Sequence, residues 1–252
     1  MRVFITGASS GLGRALAQHY ASRGATLGLA ARNAEALDAL ASQLGTPCRI
    51  YALDVRDDAA LGAAASDFIV RFGVPDVVIA NAGISVGTDP QRREDLGVLR
   101  EIIDINVNGV ANTFQPFIAA MRGAGKGVLV GIASIAGYRG LPGAGAYSAS
   151  KAAVIAYLES LRVELHASGV RVTTVCPGYV ATPMTERNPY RMPFMLTADA
   201  AARRIARVIR QRRSYAVVPW QMAIVARVLR VLPNALYDRL FARAPRKRRR
   251  GG

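Results

Sequence analysis

Short apolar runs alternate with longer, Ala-rich stretches of helical periodicity from the N-terminus to about residue 218. The apolar runs predict strands at Arg2–Thr6, Thr26–Ala31, Arg49–Ala52, Val77–Ala80, Gly127–Ile132, Val170–Val175 and Ser214–Val218. Between them, the 3.6-residue pattern predicts helices over Gly11–Ser22, Ala34–Leu44, Asp58–Phe72, Arg93–Met121, Tyr147–His166 and Ala198–Arg210. Such alternation is the signature of βαβ units and a parallel sheet. Several strands are apolar throughout, as required when helices cover both faces of a sheet. The expected architecture is therefore α/β, a doubly wound parallel sheet with helices on both faces. Two stretches read as loops: Ser85–Arg92, and Tyr179–Leu196 with Pro183, Pro189 and Pro193. The second is long for a compact domain, which marks it as a lid or binding loop.

Beyond residue 218 the alternation stops, dividing the chain into an expected catalytic unit, 1–218, and a C-terminal helical extension, 219–252. In the extension, Met222, Val225, Leu229 and Leu232 form one apolar face opposite Ala223, Arg227 and Arg230. Pro233 ends that helix, and Asn234 is placed to cap a second one. There Leu236, Tyr237, Leu240 and Phe241 form a stripe, with Asp238, Arg239 and Arg243 facing away. The chain ends in a basic tip, Arg246-Lys247-Arg248-Arg249-Arg250.

Composition narrows the picture. At 252 residues and 51% hydrophobic, the chain can bury a sizeable core and is not a disordered polymer. Its net charge of +16 is unevenly spread: residues 1–199 hold 18 Arg/Lys against 16 Asp/Glu, and residues 200–252 hold 15 against one. The basicity belongs to the tail. Cys48 and Cys176 lie far apart, as do His19 and His166, so neither a disulfide framework nor a metal site is expected. MRVFIT runs straight into a strand, so no secretory leader is expected. Ala216–Leu232 contains Pro219, Arg227 and Arg230, and each mid-span Arg would cost about 2.5–3.5 kcal/mol in a bilayer.

The first strand runs into the first helix through Thr6-Gly7-Ala8-Ser9-Ser10-Gly11-Leu12-Gly13. Glycines at G-x-x-x-G-x-G let the backbone approach a pyrophosphate where free N–H groups and the helix dipole favour an anion. The second strand ends Ala31-Arg32-Asn33, with no acid to take the ribose hydroxyls of NAD. An Arg at this point accommodates the 2′-phosphate of NADP, so NADP(H) is favoured over NAD(H). Arg32 as a solvated strand-end residue is the alternative.

This loop, followed in order by Asn81-Ala82-Gly83, Ser134, Tyr147-Ser148-Ala149-Ser150-Lys151 and Pro177-Gly178, resembles the classical short-chain dehydrogenase/reductase family over roughly residues 1–215. The resemblance implies a Rossmann-type fold and a catalytic set of Asn106, Ser134, Tyr147 and Lys151. Tyr147 and Lys151 share a helix face at i, i+4, and an ammonium there favours the phenolate. In the family, the tyrosine gives a proton to the carbonyl oxygen as hydride is delivered to carbon. Ser134 and Tyr147 hold the substrate oxygen, and Asn106 supports a relay to Lys151. Asn108 competes with Asn106, but the Asn-x-x-Gly pattern selects Asn106. The cofactor set that the resemblance implies comprises Gly7, Ser9, Ser10, Gly11, Leu12, Gly13, Arg32, Asp54, Val55, Asn81, Ala82, Gly83, Tyr147, Lys151, Pro177, Gly178, Val180 and Thr182. Asn81 also reads as a strand clamp. The chain lacks the Asp-Gly-Gly-like ending of the family's common tetramers, and continues into the extension instead.

The expected function is NADP(H)-dependent interconversion of a carbonyl and an alcohol, more often as reduction, on a lipophilic substrate. The alternatives are alcohol oxidation with NAD, or an NADP(H)-binding protein without turnover, associated with a membrane or nucleic acid. Three readings of the tail stay open: helices packed on the body or on a partner with a disordered tip, an interfacial anchor facing anionic lipid, or a nucleic-acid contact. The last lacks a stacking platform or reader motif. A cytoplasmic homodimer through Arg93–Met121 and Tyr147–His166 is expected from the family, with peripheral attachment to the inner face of a membrane as a variant.

Overall fold

The computed structural model describes residues 1–186, 188 and 190–250. Seven strands form one parallel sheet: β1 (Arg2–Thr6), β2 (Thr26–Ala31), β3 (Cys48–Ala52), β4 (Val77–Ala80), β5 (Gly127–Ile132), β6 (Val170–Pro177) and, after two short strands described below, β9 (Tyr215–Val218). Their order is β3-β2-β1-β4-β5-β6-β9, so the winding reverses between β1 and β4. A doubly wound sheet binds ligands at this switch point, beyond the carboxyl ends of its strands.

The period-2 geometry of the strands splits the core into two layers. Val3 and Ile5 of β1, and Val77 and Ile79 of β4, face helices α1 (Gly11–Ala21), α2 (Ala34–Leu44) and α8 (Ala198–Arg210). Phe4, Val78 and Ala80 face the opposite layer, α3 (Asp58–Phe72), α5 (Gly109–Gly123) and α6 (Gly145–Glu164). Gly28 makes the second layer possible. A Cβ there would lie 2.7 Å from the Phe68 ring, which meets Phe4 edge-on at 5.6 Å. The helix starts follow local chemistry: the side chains of Asn33, Asp57 and Thr197 accept from Ala36, Ala60 and Ala200 N–H.

Three expectations change. The single helix over Arg93–Met121 is two, α4 (Asp95–Ile103) and α5, joined by a wide π turn at Asp104–Asn108. Periodicity could not register that one-residue surplus. The loop Tyr179–Leu196 is tied at its ends by a small parallel pair, β7 (Val180–Ala181) with β8 (Leu196–Thr197), and holds one helical turn, α7 (Pro183–Glu186). Pro189 lies outside the described residues. The disordered tip also fails as an expectation, because Lys247, Arg249 and Arg250 bond to the body.

The extension folds as α9 (Gln221–Val231) and α10 (Asn234–Phe241). On α9, Met222 is buried and Val225, Leu229 and Leu232 are half-buried, as the stripe predicts. On α10 the stripe divides: Tyr237 is buried and Phe241 stacks on it, while Leu236 and Leu240 face solvent. Asn234 does not cap α10. It is the first helical residue, and its Oδ1 accepts from Arg139 instead. No helix among the described residues is long and apolar enough to cross a membrane.

Candidate active site

A cleft of about 380 Å³ opens at the carboxyl ends of β1, β2, β4, β5 and β6. Of the residues singled out by sequence, all but Gly13 and Asn106 line it. Those two act from behind. A Cβ on Gly13 would collide with the Gly7 carbonyl, so glycine there lets the turn close on the helix. Gly7 (φ 67°) and Gly11 (φ 52°) occupy the left-handed region that favours glycine.

The phosphate loop is held from the side by Asn81, whose Nδ2 donates to the carbonyls of Thr6 (3.0 Å) and Gly7 (3.2 Å). Asn81 therefore clamps β4 to the loop and also lines the cleft. At the N-terminus of α1, Ser10 makes no side-chain cap, so the first turn's N–H groups point into the cleft without a protein partner from that residue. A Cβ on Gly11 would come within 3.2 Å of Thr182 on the facing wall. A bare, glycine-lined cradle at a helix N-terminus fits the pyrophosphate of a dinucleotide.

At the β2 end, Arg32 is 62% exposed, with Nη1 3.9 Å from Asp54 Oδ2. Asp54 is already engaged by Arg56, whose Nη2 and Nε lie 2.7 and 3.1 Å from its two oxygens. That guanidinium, with Arg32 adding less, holds the Asp54 carboxyl below the usual range. Val55 packs against the bare backbone of Gly109 and receives Asn112 Nδ2 at its carbonyl.

At the opposite end, α6 brings Tyr147 and Lys151 up to Ser134, which starts a 3-10 turn after β5. Ser134 Oγ accepts from Ala136 N–H at 3.1 Å, which leaves its own proton free to donate. Ser134 and the Tyr147 phenol line the same cleft. Lys151 Nζ donates to the Ile132 carbonyl at 2.8 Å and stands 5.8 Å from the centre of the Tyr147 ring. Burial lowers the Lys151 ammonium to about 8. Burial also raises the Tyr147 phenol, against the smaller lowering by Ser134. Sequence reasoning expected the Lys151 ammonium to lower the phenol; in the folded chain the shift runs the other way, with burial its largest cause.

Asn106 sits in the π turn. Its Oδ1 accepts from Ile84 N–H at 2.8 Å, and its Nδ2 donates to the Ile84 carbonyl and to Ser150 Oγ, each at 3.0 Å. Both amide hydrogens are used, and neither goes to Lys151. The side chain fixes the chain just after Gly83, where a Cβ would lie 3.6 Å from Lys151 Nζ. Residues missed from sequence include Ala31, Asn33 and Leu53 beside Arg32, and Met184 and Thr185 at the mouth. The first group flanks predicted positions. The second carries no local signal.

A phenol, a hydroxyl and an ammonium lining one cleft can hold a carbonyl oxygen and pass it a proton. A family model described as short chain dehydrogenase matches residues 1–192. The chain is 40% identical, over 237 residues and 93% of each chain, to an uncharacterized oxidoreductase of Myxococcus xanthus. It is 33% identical to the dehydrogenase/reductase SDR family member 7B of Bos taurus, covering 98% of this chain and 82% of that one. The solved structure of a short chain dehydrogenase/reductase from Burkholderia phymatum, in complex with NAD, matches with a TM-score of 0.82 at 27% identity, covering 97% of this chain and 95% of that one. With the loop, the cleft and the Ser134–Tyr147–Lys151 cluster in the family's order on a seven-stranded parallel sheet, this chain belongs to the short-chain dehydrogenase/reductase family and is an oxidoreductase of alcohols and carbonyls that uses a nicotinamide cofactor.

Proposed function

We propose that residues 1–218 catalyse NADPH-dependent reduction of a carbonyl group on a lipophilic substrate, with Asn106, Ser134, Tyr147 and Lys151 as the working set. The convergence of Ser134 and Tyr147 at the floor of the cleft, with Lys151 behind them, carries this reading. When bound, the dihydronicotinamide supplies the hydride. Ser134, its Oγ already accepting from Ala136, donates a hydrogen bond to the substrate oxygen. Tyr147 transfers a proton to that oxygen. A phenol kept protonated by burial is suited to that direction. Lys151 holds the ribose side of the site with its two unused N–H groups, and Asn106 fixes the backbone that shapes it.

Preference for NADPH is supported by Arg32 at the end of β2, and by Asp54, the nearest carboxylate, being occupied by Arg56. A lipophilic substrate is supported by Val180, Pro183 and Met184, which line the cleft, and by the Tyr179–Tyr190 ring pair, 6.3 Å apart, in the same loop. Initial rates over a carbonyl panel with NADPH and NADH test both points. NADPH-dependent turnover that disappears in Tyr147→Phe is expected, with kcat/KM falling by about 10²–10⁴. Equal use of the two nucleotides would remove the NADP assignment. Binding without turnover would leave a nucleotide-binding protein.

A second reading concerns location. On α9, Trp220, Ile224, Val228 and Val231 are 65%, 55%, 53% and 78% exposed at spacings of four, four and three, on one side of the helix. Arg227 and Arg230 flank them. An apolar strip edged with Arg suits the interface of an anionic lipid surface, and we assign that partner to it. A homodimer through α4–α5 and α6 is supported by the exposure of Leu96, Leu99 and Val163 on those helices.

A further inference from the structure

The chain contains thirty arginines and three lysines. Two of the three, Lys151 and Lys247, each hold Nζ 5.8 Å from the centre of the Tyr147 ring. Lys151 arrives with Tyr147 on α6. Lys247 arrives from the far end of the chain.

Its delivery is built into the fold. After α10 the chain lies between the loops 85–92 and 139–144, which Thr88 N–H ties together through the Gly143 carbonyl. Gly87 N–H donates to the Arg248 carbonyl at 2.9 Å, and Gly87 bridges to Arg249. A Cβ on Gly143 would lie 2.8 Å from Arg246 Cβ and 3.1 Å from Lys247 N, and one on Gly87 would strike the Lys247 and Arg248 carbonyls. The two glycines form a trough for this segment. Arg249 pins it, with Nε and Nη2 at 2.7 and 2.9 Å from the two oxygens of Asp95, and Arg250 meets Glu101 at 2.8 Å.

The arginines that hold the tail thus pair with acids, and Lys247 does not. Its Nζ donates to the neutral Ser85 Oγ at 2.7 Å, and it makes no salt bridge among the described residues. Burial brings the ammonium down to about 8. A partly desolvated cation with a neutral partner is a cost that an arriving anion relieves.

We infer that Lys247 anchors the substrate, and that the carbonyl compound taken by this cleft carries an anionic group such as a carboxylate. The inference deepens the reductase proposal and rests on it: once the reacting oxygen sits at Tyr147 and Ser134, a negative group on the same molecule comes within reach of the second ammonium.

Para-carboxybenzaldehyde and its neutral methyl ester, reduced with NADPH, test it. In the wild-type chain kcat/KM is expected to favour the acid. In Lys247→Met the acid-to-ester ratio falls about tenfold or more, through KM for the acid rather than kcat, and Lys247→Arg recovers part of it. At saturating NADPH, KM for the acid relative to that for the ester rises as pH passes about 8, because the Lys247 ammonium loses its proton; in Lys247→Arg that relative rise is absent. An unchanged ratio in Lys247→Met overturns the inference. A second measurement does not need turnover: calorimetric titration of para-(hydroxymethyl)benzoate and its amide into the chain saturated with NADP⁺. Preferential binding of the acid by wild type but not by Lys247→Met supports the anchor even if neither aldehyde is reduced, which would count against the reductase proposal alone. Equal binding of acid and amide by wild type overturns the anchor even if the ester is turned over.

Discussion

Tyr147 has two ammonium groups 5.8 Å from the centre of its ring and is nonetheless driven toward its protonated form, because burial takes the phenolate out of water. Lys151 shows the same balance from the other side, with its proton loosened to about 8. Its charged form therefore prevails below that pH and is lost above it, so the Lys151 contribution to cofactor binding weakens as pH rises through about 8. Arg32 is the residue to which we assign nucleotide choice. It is mostly solvent-exposed and only loosely paired, so its removal should cost little stability. Arg32→Ala is expected to raise KM for NADPH about tenfold or more while leaving KM for NADH near its starting value, the loss of one charge-assisted contact. Steady-state kinetics with both nucleotides check this; a parallel change in the two would show that Arg32 does not read the 2′-phosphate.

Among the elements, the extension depends on one side chain outside it. Arg139 Nη1 donates to the Leu229 and Leu232 carbonyls, each at 2.6 Å, and so caps the C-terminus of α9. Its Nη2 reaches Asn234 Oδ1 at 2.8 Å, and its guanidinium lies 3.9 Å over the Tyr237 ring. Tyr237 Oη in turn donates to the Gly140 carbonyl at 2.6 Å. Arg139→Ala is expected to lower the local stability of residues 221–241 by about 2–4 kcal/mol, since charged hydrogen bonds contribute about 1.5–3 kcal/mol each when shielded and less when wet. Hydrogen exchange should quicken at those amides and not in β1 or β4. Uniform quickening would instead place Arg139 in the global core. The stripe of α9 was legible in sequence, because 3.6-residue spacing records which face is apolar; that of α10 was legible only at Tyr237 and Phe241, since Leu236 and Leu240 face solvent. What the faces pack against was not legible: Arg139 lies ninety residues from Leu229. The π turn escaped for a related reason, since its sequence stays helical while Asn106 is drawn to the Ile84 backbone.

For the whole molecule, the charge of +16 divides into a nearly neutral body and a basic tail, and folding divides the tail again. Arg249 and Arg250 are consumed by Glu94, Asp95 and Glu101, while Arg227 and Arg230 border the exposed strip of α9. Attachment to anionic lipid through that strip predicts flotation of the full chain with phosphatidylserine vesicles and not with neutral ones. Replacing Trp220, Ile224 and Val228 together by Ser should abolish it while leaving carbonyl turnover intact. Equal recovery of both forms at the bottom of the gradient would remove the membrane from the account. The alternation of apolar runs and helical stretches, and the ordered Gly7–Gly13, Asn81–Gly83, Ser134, Tyr147 and Lys151 signals, determined the fold class and nearly the whole cleft from sequence alone. They could do so because period-2 and period-3.6 burial, a glycine turn and an i, i+4 pair are local constraints written into neighbouring residues. Only the tertiary structure decided where the basic tip goes, that burial raises the Tyr147 phenol, and that Lys247 joins Lys151 beside it. Those outcomes depend on groups far apart in the chain and on how much water remains between them, and neither is recorded in local spacing.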